Sequence, residues 1–117
     1  MSKLNLIIKL KGESNQNYSF SLFTNETEFK EGFGGVYVFL KGVKIADNTN
    51  YNCTSLYIGK TKEFKDRFYD HEKWEEAKKK GFNIIGIYKE DIDSKRLAIE
   101  EDLIKSKSPQ LNTQHNS

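Results

Sequence analysis

Residues 35–40, Gly-Val-Tyr-Val-Phe-Leu, form an unbroken apolar run of strand length in which a single phenol is the only polar group. A run this short and this apolar reads as a buried strand. The neighbouring segments read as the elements that bury it. Residues 4–10, LNLIIKL, alternate around Leu4, Leu6, Ile8 and Leu10, the period of a half-buried strand. Residues 18–23, YSFSLF, alternate again with aromatics on one side, and the polar GESNQN between the two runs reads as a turn. The chain therefore opens with a β-hairpin. The next segment, TNETEF, can start a short helical turn with Thr24 or Asn25 as its N-cap.

After the central strand, KGVK and ADNTNYN suggest a hairpin excursion, and residues 55–59, SLYIG, make the next strand. From Lys62 to Lys80 the pattern turns helical: Phe64, Phe68, His71 and Trp74 recur at three- and four-residue steps, and Gly81 stands where a helix C-cap belongs. Residues 82–88, FNIIGIY, predict a further strand. Asp93 or Ser94 can cap a second helix running to about Lys107, and Pro109 stops it. The tail LNTQHNS is expected to fray after Asn112.

The order from residue 34 onward is strand, strand, helix, strand, helix. It predicts an α/β sandwich: a small, mostly antiparallel three-stranded sheet flanked by helices, with the N-terminal β-hairpin added to it. The expected organisation is a hairpin extension over 1–33, one domain over 34–112 and a polar tail over 113–117, with no internal repeat. A length of 117 residues suits one modest core.

The net charge of +2 permits a nucleic-acid partner without demanding one. Cys53 is the only cysteine, which excludes an intramolecular disulfide and a cysteine metal cage. No apolar run approaches the length of a membrane span and the N-terminus lacks a signal-peptide apolar region, so an intracellular, cytoplasmic location without membrane association is expected. The two glycosylation sequons, at Asn25 and Asn52, then read as chance.

Several polar residues stand where apolar ones are expected. Arg67 and His71 are four apart and share the face carrying Phe64, Phe68 and Trp74. A cation on such a stripe needs a partner or an anionic ligand; the alternative is a helix edge with Arg67 snorkelling to water. On the second helix, at about 100° per residue, Leu97, Ile99, Leu103 and Ile104 average to a direction close to that of Glu100. Glu101 and Asp102 fall to its side and rear. A carboxylate in an apolar arc is costly unless it is paired, for instance with Arg67 or Lys60, or holds a metal. Tyr37 and Tyr57 belong to neighbouring strands, and Lys60 follows Tyr57 as its strand ends. Two phenols, a lysine, an arginine, a histidine and a carboxylate thus converge from four elements, a mixture able to position and cut a phosphodiester.

These residues resemble the GIY-YIG nuclease family. Gly35-Val36-Tyr37 resembles the first signature and Tyr57-Ile58-Gly59 the second. Lys60, Arg67 and His71 then follow Tyr57 by three, ten and fourteen residues, spacings similar to those of the family, including the nuclease module of the bacterial excision-repair incision protein. IEEDLIKSKSPQLN resembles the closing run, which puts the metal-binding glutamate at Glu100 and the closing asparagine at Asn112. The resemblance covers about residues 34–112. The loop between the signatures is longer than in the shortest members. A literal Gly86-Ile87-Tyr88 follows the second signature and reads as a decoy on the third strand.

The resemblance implies a metal-dependent endonuclease acting on nucleic acid, DNA rather than RNA. One divalent ion, Mg²⁺ with Mn²⁺ as an expected substitute, would be held by Glu100. Arg67 and Lys60 would hold phosphate and Tyr37 would be the general base, with Lys60, Arg67 and the metal favouring its phenolate. His71 would relay its proton and Tyr57 would orient water or phosphate, or the two would exchange these roles, and Asn112 would brace the site. The alternatives are a non-catalytic nucleic-acid-binding module and a protein-interaction domain built on the N-terminal hairpin.

Overall fold

The computed structural model describes residues 3–29, 32–44, 51–65, 67, 68 and 71–114. Residues 45–50 of the expected excursion and 115–117 of the expected tail lie outside them. The elements are β1 (Lys3–Lys11), β2 (Asn17–Thr24), β3 (Gly35–Lys44), β4 (Tyr51–Thr61), α1 (Trp74–Lys79), β5 (Ile84–Lys89), α2 (Asp93–Lys107) and α3 (Gln110–Gln114).

The strands form a single five-stranded sheet in the order β1-β2-β5-β3-β4, with every neighbouring pair antiparallel. This corrects the expected three-stranded sheet with an appended hairpin. β5 pairs with β3 on one side, which leaves its other edge with unpaired N–H and C=O groups. β2 takes that edge, with Ser21 opposite Ile87 and Thr24 opposite Ile84.

Alternation along the strands divides the core into two layers. Val36, Val38 and Leu40 join Tyr18, Phe20, Leu22 and Ile58 on one face, where Ile99 and Leu103 of α2 cover them. Tyr37 and Phe39 point to the other face, into a cluster with Phe64, Phe82, Ile85, Ile87, Ala77 of α1 and Leu111 of α3. The chain passes from one face to the other at the end of α2. Ser108 adopts a left-handed φ of 43° and its N–H bonds the Ile104 carbonyl, then Pro109 leads into α3.

Four local expectations need correction. Among the described residues the helix expected over 62–80 is confined to α1. Ahead of it, turns such as Arg67 N–H to Phe64 O (3.2 Å) and Trp74 N–H to His71 O (3.1 Å) place the aromatics by burial rather than by a helical ladder. The TNETEF segment makes a turn, and the Asn25 amide bonds the Phe82 carbonyl at 2.9 Å instead of capping a helix. Ile92, not Asp93 or Ser94, is the N-cap of α2, because the Asp93 carboxylate is taken by Arg96. Finally, the chain does not run on as a bare tail after Pro109 but forms α3 through Gln114, with Leu111 and Asn112 buried.

The N-terminal hairpin is tied to α2 through Asp102. Its carboxylate accepts from the Ser14 N–H (2.8 Å), the Ser14 hydroxyl (2.6 Å) and the Tyr18 hydroxyl (2.8 Å). A charged acceptor with three donors makes a stronger latch than a neutral pair would.

Candidate active site

Tyr37 on β3 and Gly59 on β4 stand opposite one another in the register. A Cβ at position 59 would overlap the end of the Tyr37 ring, so the glycine makes room for that phenol. Tyr57 precedes it by two residues on the same strand, and the two tyrosine rings lie 6.2 Å apart.

His71 closes this group, its ring 5.6 Å from that of Tyr37 and 5.3 Å from that of Tyr57. Its Nε2 is 2.7 Å from the Tyr37 hydroxyl oxygen. Its Nδ1 accepts the Lys73 N–H at 2.9 Å. The hydrogen-bond network therefore assigns the imidazole proton to Nε2, which donates to Tyr37. Burial, with help from the Arg67 charge, lowers the His71 pKa to about 4, so the ring is neutral at pH 7.

Tyr37 is fully buried. Burial raises its pKa first, the neighbouring Tyr57 adds to this, and the Arg67 charge opposes it without prevailing. The net shift runs opposite to the expected pull toward phenolate from Lys60 and Arg67, because desolvation of the ring outweighs the attraction of a partly solvated guanidinium. Tyr57 is half-buried, and its pKa is also raised, again chiefly by burial.

Arg67 stands 5.6 Å from the centroid of the Tyr37 ring. Its fork is engaged by Glu72, with Nη2–Oε1 at 3.1 Å and Nη1–Oε2 at 3.4 Å. Arg67 in turn holds the Glu72 pKa down to about 2. Glu72 escaped the sequence reading because a five-residue separation brings no pair together on a helix.

Glu100 is half-buried on α2, and burial raises its pKa against the opposing charge of Lys60. Its carboxylate makes no hydrogen bond or ion pair among the described residues, so neither Arg67 nor Lys60 pairs with it at contact distance. Its charge acts on both Tyr37 and Tyr57. The inward face of α2 is formed by Arg96, Ile99 and Leu103, while Leu97 is 45% exposed. Glu100 thus flanks the buried stripe instead of centring it. Arg96 is tolerated in the interior because it bonds the Glu90 carbonyl at 2.8 Å and the Asp93 carboxylate. Glu101 is exposed.

Lys60 is exposed at the end of β4. Asn112 is buried, and its side chain bonds Ile58 twice: Oδ1 accepts the Ile58 N–H at 2.7 Å and Nδ2 donates to the Ile58 carbonyl at 2.8 Å. It thereby imitates a neighbouring strand on the outer edge of β4, at the residue between Tyr57 and Gly59. Tyr88, of the decoy tripeptide, packs on the opposite face of the sheet against Tyr18 and Phe20.

The structure thus gathers Tyr37, Tyr57, Arg67 and His71 in one cluster, sets Glu100 within electrostatic reach of it with Lys60 near that carboxylate, and uses Asn112 to hold the strand beneath. Among the described residues no three His, Cys, Asp or Glu side chains group as a metal cage, and no helix is long and apolar enough to cross a membrane. No curated protein and no solved structure matches the chain. The model of the GIY-YIG catalytic domain matches residues 33–114, a span that holds every side chain of the cluster, and the chain belongs to the GIY-YIG family of nucleases.

Proposed function

We propose that the protein is a metal-dependent endonuclease that hydrolyses phosphodiester bonds in DNA, in the cytoplasm. The observation that carries this reading is the hydrogen-bonded Tyr37–His71 pair beneath the Arg67 guanidinium, with the Glu100 carboxylate, unpaired among the described residues, nearby. A half-buried carboxylate with no partner suits a hard cation that keeps most of its own waters, as Mg²⁺ does and as Mn²⁺ can. Bound at Glu100, such an ion would supply positive charge for the leaving oxygen and the phosphate.

The chain's own residues would do the rest. Arg67 offers a planar fork that grips phosphate bidentately. It must exchange Glu72 for the substrate, and an exposed pair of this kind stabilises by only about 0–1 kcal/mol, so the exchange is easy. Lys60, in water beside Glu100, adds attraction for the backbone. Tyr37 would act as general base, its phenolate stabilised by the His71 Nε2–H and by Arg67 above the ring. Tyr57, nearer to solvent, would orient the attacking water. Asn112 would keep β4 in register under Tyr57.

The full burial of Tyr37 and its raised pKa favour a second reading, a nucleic-acid-binding module without catalysis. Incubation of the purified protein with labelled single- and double-stranded DNA and RNA, in Mg²⁺, Mn²⁺ or EDTA, separates the two. Mg²⁺-dependent cutting of DNA supports the nuclease; binding without cutting in any metal supports the module.

A further inference from the structure

Beside the tyrosine cluster, on the same face of the sheet, lies a cavity of about 780 Å³. The sequence of β2 explains it. Tyr18, Phe20 and Leu22 point into the α2 layer, which leaves Ser19, Ser21 and Phe23 on the other face. No described helix covers that half: α1 and α3 pack at the Tyr37 end. The cavity floor is therefore Ser21 and Ile87, with Phe29 and Phe33 as apolar walls and Thr27 and Lys89 as polar ones.

Two observations indicate a ligand, and a third places it relative to the site. Thr27 Oγ1 is buried with no hydrogen-bond partner among the described residues, an arrangement that is costly until a partner arrives. Lys89 holds its ammonium 4.3 Å from the centroid of the Phe33 ring, so a cation sits at the wall of an aromatic pocket. The register also fixes the cavity relative to the site. Ser21 pairs with Ile87, Ile87 with Tyr37 and Tyr37 with Gly59, in one row across four strands. Two strand spacings, about 10 Å, separate Ser21 from Tyr37.

We propose that this cavity receives one nucleobase, unstacked from the strand whose phosphate lies at Arg67 and Tyr37. The inference rests on the nuclease reading and adds to it a base subsite. A planar heterocycle would stack on Phe29 or Phe33, as bases do on aromatic platforms. Its polar edge would meet the hydroxyls of Ser21 and Thr27, and Lys89 would face the adjoining phosphate.

The test is a series of single-stranded oligonucleotides in which one abasic residue is walked past the cleavage position. Loss of a stacked base is expected to raise KM about tenfold at one position of the series. Ser21→Leu, which fills the cavity floor, should raise KM similarly on the intact strand and become indifferent to the abasic residue. Thr27→Val, which removes the hydroxyl and keeps the shape, should raise the melting temperature while also raising KM. That pairing would not arise from a merely structural role. Equal cleavage of every abasic strand, or unaltered discrimination in Ser21→Leu, overturns the subsite and leaves the nuclease reading intact. Inhibition by free nucleosides as strong as that by the intact strand overturns the assignment to a base within a strand. A protein that cuts duplex DNA but none of the single strands overturns the subsite alone; one that cuts neither overturns the nuclease reading, and this inference with it.

Discussion

His71 Nε2 donates to the Tyr37 hydroxyl oxygen at 2.7 Å, because the Lys73 N–H has already taken Nδ1. A neutral imidazole in this tautomer stabilises a phenolate but cannot receive the Tyr37 proton at Nε2. In place of the expected relay, His71 would then act as a donor to the Tyr37 oxygen. His71 titrates at about 4 in the folded chain, against 6.5 when exposed. Between these values the unfolded state binds more protons, so stability must fall as the pH is lowered through that window. The loss is on the order of 3 kcal/mol. Urea unfolding from pH 7.5 to 4 should show this, and His71→Gln should flatten the curve. An unchanged slope in the variant would mean that another group is responsible.

Tyr37 also shapes the rate profile. Its raised pKa means that only a small fraction is phenolate at neutral pH. Single-turnover cleavage should rise about tenfold per pH unit from 7 to 9, with no inflection near 6.5. Tyr37→Phe should abolish cleavage and cost about 1–3 kcal/mol, because the His71 N–H is left without its acceptor. Tyr88→Phe lies on the other face of the sheet and should retain activity. The reverse result would locate the chemistry at β5.

Gly59 marks a position where no side chain fits under Tyr37. Gly59→Ala must push the phenol away from His71 or part the two strands, at a cost of about 1–3 kcal/mol. The variant should fold with a lower melting temperature and cut at least a hundredfold more slowly, a loss typical of catalytic groups misplaced by about 1 Å. Parent-like cleavage would show that the Tyr37 hydroxyl position does not matter.

Much of this site could be read from the chain. The strands were legible because apolar alternation and short apolar runs are local signals. Strand order was not: nothing in YSFSLF states that β2 will pair with β5, sixty residues further on. The helix over 62–80 was overread because i to i+3 turns, such as Phe64 to Arg67 and His71 to Trp74, repeat with nearly helical spacing. On α2 the wheel takes Leu97 as inward and gives Arg96 no place there. Hydrogen bonds from Arg96 to Glu90 and Asp93 reverse that choice, and hydropathy does not see them. The motif spacing points to Glu100 independently of its place on the helix face.

Glu72 occupies the guanidinium fork that a phosphate would use. Glu72→Gln should therefore tighten binding of a nucleic acid, up to about fivefold, with a steeper dependence on salt. Arg67→Lys should lose the bidentate grip and bind more weakly than the parent. Anisotropy titrations at several salt concentrations would measure both. Weaker binding by Glu72→Gln would mean that Glu72 organises Arg67 for substrate and does not compete with it.

Adjacent carboxylates on α2 give the sharpest test of the metal. Glu100 is half-buried, has its pKa raised by desolvation and has no partner among the described residues, whereas Glu101 is exposed. A raised carboxylate pKa means that the ionised group works against the fold at pH 7, since the unfolded chain solvates it better. Glu100→Gln should then be somewhat more stable than the parent. If Glu100 holds the cation, Mg²⁺ should raise the melting temperature of the parent and leave that of Glu100→Gln unchanged, as expected when a ligand binds only the folded state. Nucleic-acid binding should largely survive, because Arg67 and Lys60 remain, while cleavage is lost. Glu101→Gln should match the parent in every measurement. A Glu100→Gln protein that still cuts and still responds to Mg²⁺ removes the metal assignment. If Glu101→Gln is the inactive variant, the cation sits one residue further along the helix, on its solvent side, and the desolvated environment of Glu100 has another purpose.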